Sequence, residues 1–150
     1  MALALATVTN SIAALSVTGL TIKDLDEIPA KADPRQATLL ALPAFVTAFE
    51  MVRDSFGGGS EAKMSASYTL NYRLLYAPAG QGRAGTLENY DNMVALVTAF
   101  LDAAMAIDEL TGAVDIVPAG ITNMGLVNDP ADNQWIGCDI ALRVLEFVNG

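Results

Sequence analysis

The sequence predicts an α+β fold: one domain over residues 1–150, with a mainly antiparallel sheet packed against an N-terminal helix and a central helix. Two stretches, residues 64–76 and 135–144, alternate strictly between apolar and polar or small side chains. A third stretch, about 87–109, is apolar over most of its circumference at helical spacing. Alternation places one strand face on a core and the other on water or a partner, which is typical of antiparallel sheets. A chain of 150 residues is long enough for one core.

The N-terminal segment predicts a short helix followed by a short strand. Its apolar face is formed by Leu5, Val8, Ile12 and Leu15. Gly19 is expected to end this helix, since glycine is a common helix terminator. The next residues, "LTIKDLDEIP", alternate at Leu20 and Ile22, and Pro29 and Pro34 then predict a turn.

The middle of the chain predicts a long β-hairpin. The apolar spacing of residues 37–56 does not distinguish a helix from a strand, but Pro43 and the Val, Phe and Thr that follow it favour an extended strand. The next strand, "MSASYTLNYRLLY", is joined to it by "SFGGGSEAK". The Gly-Gly-Gly tip predicts a mobile, projecting loop, which either connects the strands or becomes ordered against a neighbour.

The central helix is expected to begin after Thr86 as N-cap, with Glu88 and Asp91 in its first turn. Its main apolar line is predicted as Leu87, Tyr90, Val94, Val97, Leu101 and Met105, widened by Met93, Leu96, Phe100 and Ile107. This helix should lie across the sheet. Two short apolar runs, a turn at residues 128–133 and a long half-buried strand follow.

A G-x-G-x-x-G pattern occurs at Gly80, Gly82 and Gly85. In a dinucleotide fold these glycines directly follow a strand buried on both faces, and the helix opens within them. Here the preceding strand alternates, Ala77, Pro78 and Ala79 intervene, and the predicted cap at Thr86 follows the last glycine. The pattern is therefore interpreted as a flexible loop.

Charge is unevenly distributed. The chain has 8 basic and 17 acidic residues, and the net charge of −9 argues against DNA as the main partner. Residues 51–85 hold four basic and two acidic residues, whereas residues 86–150 hold one basic and ten acidic residues. Either the acidic half is a solvated surface, or it meets the basic middle of another copy in a head-to-tail contact that closes a ring.

Catalytic and metal-binding patterns are weak. The chain has no histidine, and its one cysteine, Cys138, lies at a position predicted to be buried. The Asn128–Asn133 turn is either ordinary turn chemistry or part of a Ca²⁺ site, and Trp135 is either an interface anchor or packed on the sheet. From these weak patterns we expect no enzyme activity, cofactor or metal. We also expect no membrane span, because the most apolar stretch is interrupted by Thr98 and Asp102.

The C-terminal strand, "WIGCDIALRVLEF", has the pattern aromatic-x-Gly-x-Asp-Ile-x-Leu-x-Val. With the order of elements, this resembles the tail-terminator and neck proteins of long-tailed bacteriophages over nearly the whole chain. The resemblance implies a hexameric ring in the virion, assembled in the host cytoplasm. Such a ring caps the tail tube and contacts the tail-tube and head-closure proteins, with DNA only as passing cargo.

Under this interpretation two groups of residues are candidates for contacts. The candidate subunit or tube interface comprises Phe56, Gly57, Gly58, Gly59, Lys63, Arg73 and Arg83. The candidate acidic lumen or partner face comprises Asp102, Asp108 and Glu109. Two alternatives stay open: a domain that binds a small ligand between helix and sheet, and another virion component such as a tail-tube or head-completion protein.

Overall fold

The computed structural model describes residues 5–23, 37–53, 63–78, 82–107 and 114–149. It confirms the α+β class, with two helices and a mostly antiparallel sheet. In chain order the elements are α1 (Leu5–Ala13), β1 (Leu20–Lys23), β2 (Ala37–Arg53), β3 (Lys63–Pro78), α2 (Gly82–Met105), β4 (Val114–Asn128) and β5 (Gln134–Asn149).

The five strands form one sheet in the order β1-β2-β3-β5-β4. β1 runs parallel to β2, and every other neighbouring pair is antiparallel. β3 and β5 are the central strands, and they pair along almost their whole length. The connection between β2 and β3 lies outside the described residues, as does the predicted Gly-Gly-Gly tip.

The predicted alternation of the two central strands is confirmed. On one face, which we call the helix side, β3 and β5 contribute a continuous row of buried side chains: Ala66, Tyr68, Leu70, Tyr72, Leu74, Ile136, Cys138, Ile140, Leu142 and Val144. Except for Ala66, these side chains share a core cluster with both helices. The opposite face, which we call the open side, carries the polar members of the alternation.

α1 presents the predicted apolar face, with Val8 and Ile12 buried. The prediction that Gly19 ends this helix is wrong, because α1 ends at Ala13. Ala14 N–H still donates to the carbonyl oxygen of Asn10, but Leu15 N–H donates to the nearer Ile12, so the helical pattern ends before Ser16, Val17 and Thr18, whose helix propensity is low. Gly19 instead adopts a positive φ of 83° in the turn that enters β1.

α2 lies across the sheet as expected, but its start and its buried line differ from the prediction. It begins at Gly82, so Thr86 is not the N-cap and the glycine segment is helical from Gly82 onward. The side chains buried against the sheet are Met93, Val97, Phe100 and Ala104. Val94 and Met105, predicted to be buried, are exposed. The two lines differ by a rotation of the helix, and apolar spacing alone cannot choose between them when most of the circumference is apolar.

β4 is one edge strand, although the sequence predicted two short segments. Its pairing with β5 shifts register between Pro118 and Gly120 and again between Thr122 and Gly125. These β-bulges absorb the extra residues, so the ladder continues on both sides of each irregularity. Pro118 is compatible with this position because an edge strand has one side without a ladder partner.

Candidate functional site

The open side of the sheet is centred on an ion pair between the two central strands. Arg73 of β3 stands directly opposite Asp139 of β5 in the strand register. Its Nε donates to Asp139 Oδ1 at 2.7 Å, and its Nη2 donates to Asp139 Oδ2 at 3.1 Å. A bidentate pair of this kind fixes the plane of the guanidinium as well as its position.

Asn123 completes this cluster from the edge strand β4. Its Nδ2 donates to Asp139 Oδ2 at 2.7 Å. Asn123 lies in the second β4 bulge with φ of 52°, a conformation that asparagine tolerates better than most residues. Burial alone would raise the pKa of Asp139, but the hydrogen bonds from Arg73 and Asn123 and the charge of Arg73 hold it below its usual value. The carboxylate is therefore ionised and fixed at neutral pH.

A cleft of about 470 Å³ adjoins this cluster at the β4 edge. We call it the β4 cleft; it is lined by Arg73, Asn123, Met124, Leu126, Val127, Asn128 and Gln134. Arg73 Nη1 points toward the carbonyl oxygen of Asn128 at 3.4 Å, on the wall of the cleft. The cleft therefore offers N–H donors, a chemistry suited to acceptor oxygens.

A small second core lies on the same side, at the end of the sheet next to the β4–β5 turn. It is formed by Leu40, Leu75, Val127 and Trp135. Trp135 is therefore buried, which favours packing on the sheet over an exposed interface anchor. Gly137 is required beside it, because a Cβ there would overlap the carbonyl oxygen of Leu74 and lie 2.8 Å from a methyl group of Val127.

Asp129 organises the β4–β5 turn. Its Oδ1 accepts from the backbone N–H groups of Ala131 and Asn133, and its Oδ2 accepts from Asn133 Nδ2 and Trp135 Nε1. Burial would raise the pKa of Asp129, but these hydrogen bonds lower it overall. The described residues hold no cluster of three or more metal-ligating side chains. The hydrogen bonds that Asp129 accepts are those of an ordinary turn, the first of the two interpretations of residues 128–133.

On the helix side, apolar side chains are exposed along β2 far from the β4–β5 turn. Val46 stands opposite Leu70, Met51 stands opposite Ala66, and the Phe49 ring stacks on Tyr68 with centroids 5.6 Å apart. We call Val46, Phe49 and Met51 the β2 patch; all three are exposed. Beneath it the Tyr68 hydroxyl donates to the buried carboxylate of Glu146 at 2.7 Å. Burial and this carboxylate raise the pKa of Tyr68.

The predicted contact residues occupy separate parts of the fold. Arg73 is on the open side, whereas Asp102 is exposed on α2, which covers the helix side, so these two are not brought together. Lys63 begins β3 and Arg83 lies in the first turn of α2. The other candidates, Phe56, Gly57, Gly58, Gly59, Asp108 and Glu109, lie outside the described residues. Because Arg73 pairs with Asp139, part of the predicted charge complementarity is satisfied within one chain.

Two further predictions are clarified by the structure. Cys138 is fully buried, as expected, and burial together with the charge of Asp139 raises its thiol pKa to about 11. For the glycine pattern, the argument that the helix starts after the glycines is wrong. The strand before it, β3, is nevertheless antiparallel to both neighbours, unlike the parallel strand of a dinucleotide fold.

Asn123 and Asp139 were not predicted as functional or organising residues, and Asp129 was considered only as part of a turn or a Ca²⁺ site. Asp139 carried a usable signal, since it and Arg73 are opposite charges on the polar sides of two alternating strands. The role of Asn123 depends on a β-bulge, which leaves no clear pattern in the sequence. Glu146 stands opposite Ala66 and therefore lies on the helix side. It is buried there, although its charge predicts an exposed position.

Comparison with known proteins does not assign the chain to a family. Neither a protein-family model nor a curated protein matches this sequence. Within the described residues, no helix is long and apolar enough to cross a membrane.

Proposed function

We propose that this chain is a virion structural protein similar to the tail terminators of long-tailed bacteriophages. In this role it forms a ring, which the resemblance implies to be of six copies, that caps the tail tube and meets the head-closure protein. β2 and β3 form the long hairpin of the predicted fold, with α1 and α2 packed on one side. The protein acts by assembly and has no catalytic role.

The observation that carries the proposal is the β2 patch. Val46, Phe49 and Met51 follow one another along β2 and lie on the side that the helices cover elsewhere. Contiguous exposed apolar surface is uncommon on monomeric proteins and is typical of surfaces that another protein covers. This supports a protein whose surface is completed by assembly.

The test is the assembly state of the purified chain, measured by light scattering over a concentration and salt series and by negative-stain electron microscopy. A terminator is expected to give discrete closed rings that do not lengthen. A tail-tube protein would give open tubes of variable length instead. A monomer or dimer at every concentration would contradict both virion roles.

A second candidate function is the binding of a small ligand. A groove of about 340 Å³ lies between α2 and the turn that enters β1, with Thr18, Gly19, Tyr76, Asn92, Ala95, Leu96 and Ala99 along it. This volume is at the lower end of the range for ligand pockets. A ligand from a metabolite library that raises the melting temperature of a monomeric chain would favour this function, because ligand binding stabilises the folded state by mass action.

A further inference from the structure

Exposed large apolar side chains lie at two opposite edges of the sheet. The β2 patch is at one edge, because β1 pairs only with residues 37–40 and no other described strand lies on the outer side of β2. At the other edge, exposed apolar residues lie where α2 meets β4. We call these residues the α2–β4 seam: Val94, Met105, Ile121 and Leu126, of which Leu126 is the most exposed at 61%.

The β4 part of the seam lies on the helix side. Ile121 stands opposite Ile140 of β5, and Leu126 stands opposite Ile136. Both partners belong to the core cluster under the helices. Residues directly opposite each other in a ladder point to the same face of the sheet. Ile121 and Leu126 therefore continue the apolar helix side to the β4 edge, where they are exposed.

The α2 part of the seam is turned toward the same edge. Tyr90 Oη lies 3.4 Å from the position that a Cβ on Gly125 of β4 would occupy. Val94 and Met105 follow Tyr90 by four and fifteen residues, spacings that keep all three on one flank of a helix. The opposite flank of α2 lines the groove beside the turn that enters β1. Val94 and Met105 therefore lie on the flank that faces β4.

The charge beside the seam is acidic. Asp91 and Asp102 are exposed on α2, three residues before Val94 and Met105 respectively, and residues three apart are neighbours on a helix surface. Residues 84–142 contain no lysine or arginine. The charge that α2 and β4 contribute along the seam is therefore negative.

The charge beside the β2 patch is basic on the helix side. The charged residues of β2 are Glu50 and Arg53. Glu50 stands opposite Ser67 and so lies on the open side, away from the patch. Arg53 ends the strand two residues after Met51, and the ladder register gives it the same side as Met51. The two apolar surfaces therefore carry opposite charges at their borders.

We propose that the α2–β4 seam of one copy packs on the β2 patch of the next copy. The seam covers the exposed ring of Phe49, and Asp102 and Asp91 lie on the side of the contact where Arg53 ends β2. Burial of apolar surface supplies the affinity, and the opposite charges set the orientation. This contact rests on the proposed ring assembly and identifies the two surfaces that form it.

The fold makes this a contact between copies. β3 and β5 separate β2 from β4, so the two edges are roughly 14 Å apart at the spacing of neighbouring strands. The seam flank of α2 also faces away from β2. Because the two surfaces differ, the contact is heterologous, and repeating it generates a ring when the rotation closes. A second copy is the occupant that covers both apolar surfaces of every chain with one type of contact.

The test uses two variants, each with one damaged surface. Leu126→Asp places a charge in the seam, and Met51→Asp places a charge in the β2 patch; both positions are exposed, so the fold is expected to persist. The control for the seam is Asn92→Asp, on the groove flank of α2. The control for the patch is Thr47→Asp, an exposed position on the open side of β2. Circular dichroism and melting temperature check folding, and serine replaces aspartate wherever a variant unfolds.

Light scattering then separates the outcomes. We expect wild type and both controls to form rings, and each damaged variant alone to be a monomer of 15.7 kDa. An equimolar mixture of the two damaged variants should form dimers of twice that mass that grow no further, because each dimer has one intact contact. Adding Asp102→Asn to the Met51→Asp copy, which contributes the intact seam, should raise the dissociation constant of this dimer by roughly twofold to fivefold.

Other results overturn the proposal in distinguishable ways. Rings formed by both damaged variants would exclude this contact and leave the proposed function intact. A mixture that stays monomeric would exclude the pairing of these two surfaces, and a damaged variant that dimerises alone would show that its intact surface pairs with itself. A wild-type chain that is monomeric up to millimolar concentration would overturn both the contact and the proposed ring.

Discussion

The two sides of the central sheet differ in the contacts that hold their side chains. On the helix side, residues of both helices and all five strands share one apolar cluster. On the open side, Arg73, Asn123 and Asp139 are fixed by individual hydrogen bonds, and Asp129 and Trp135 by others. The first side depends on the sum of many interchangeable contacts, and the second depends on a few specific atoms.

This difference has a consequence for function. A core of apolar side chains tolerates many substitutions of similar volume, whereas a buried hydrogen-bonded cluster fails when one member is lost. The open side is therefore where single changes should alter the shape of the β4 cleft without dissolving the core.

The largest effect is expected at Gly137, which lies against the backbone of Leu74 and the side chain of Val127. Gly137→Ala should lower the free energy of unfolding by more than about 3 kcal/mol, because the added methyl group overlaps the backbone of Leu74. Urea denaturation measures the change. Adding Val127→Ala removes the contact with the Val127 methyl group but not the backbone overlap. Full recovery in that double variant would show that the side-chain contact was responsible.

Sequence periodicity predicted the helix side and missed most of the open side for physical reasons. The alternation of β3 and β5 reflects burial of every second side chain, so Tyr72 and Cys138 could be assigned before the structure was known. Asn123 acts through a bulge, whose position depends on the pairing of β4 with β5. The turn at residues 128–133 was predicted, but the burial of Asp129 and its hydrogen bond from Trp135 were not. The strand order and the parallel β1–β2 pair depend on the same long-range pairing.

The Arg73–Asp139 pair should show strong energetic coupling. Arg73→Met leaves a largely buried carboxylate with Asn123 as its remaining side-chain donor among the described residues, so we expect a loss of about 2 to 4 kcal/mol. The double variant Arg73→Met/Asp139→Asn should lose less than the sum of the single variants, with a coupling of about 1 to 3 kcal/mol in a double-mutant cycle. A coupling below about 0.5 kcal/mol would mean that the pair behaves as a solvent-exposed ion pair.

Acid should destabilise the open side through Asp129 and Asp139. The pKa of both carboxyls is lower in the folded chain than its usual value, so protonation favours unfolding. Their stabilising effect is complete above about pH 5 and is lost as the pH falls below about 4. Asp129→Asn should reduce the acid-induced loss of unfolding free energy by about 1 kcal/mol, as measured by unfolding experiments at several pH values. Asp132→Asn, in the same turn, serves as the control. An equal reduction of the acid-induced loss in that variant would contradict the role of Asp129.

The smallest effect compares two strand irregularities, where Ala48 of β2 and Asn123 of β4 both adopt φ of 52°. Ala48→Gly should stabilise the chain by about 0.5 kcal/mol, since relief of the left-handed strain exceeds the extra entropy of the unfolded chain. Asn123→Gly relieves less strain and removes the hydrogen bond to Asp139, so it should destabilise the chain by about 1 kcal/mol. Thermal unfolding of both variants measures the contrast. Opposite signs of the two stability changes would show that this backbone conformation has different roles on the two strands. On β2 it only adds strain, whereas on β4 it positions the Asn123 side chain. Stabilisation by both would mean that the hydrogen bond of Asn123 contributes less than the strain of its backbone.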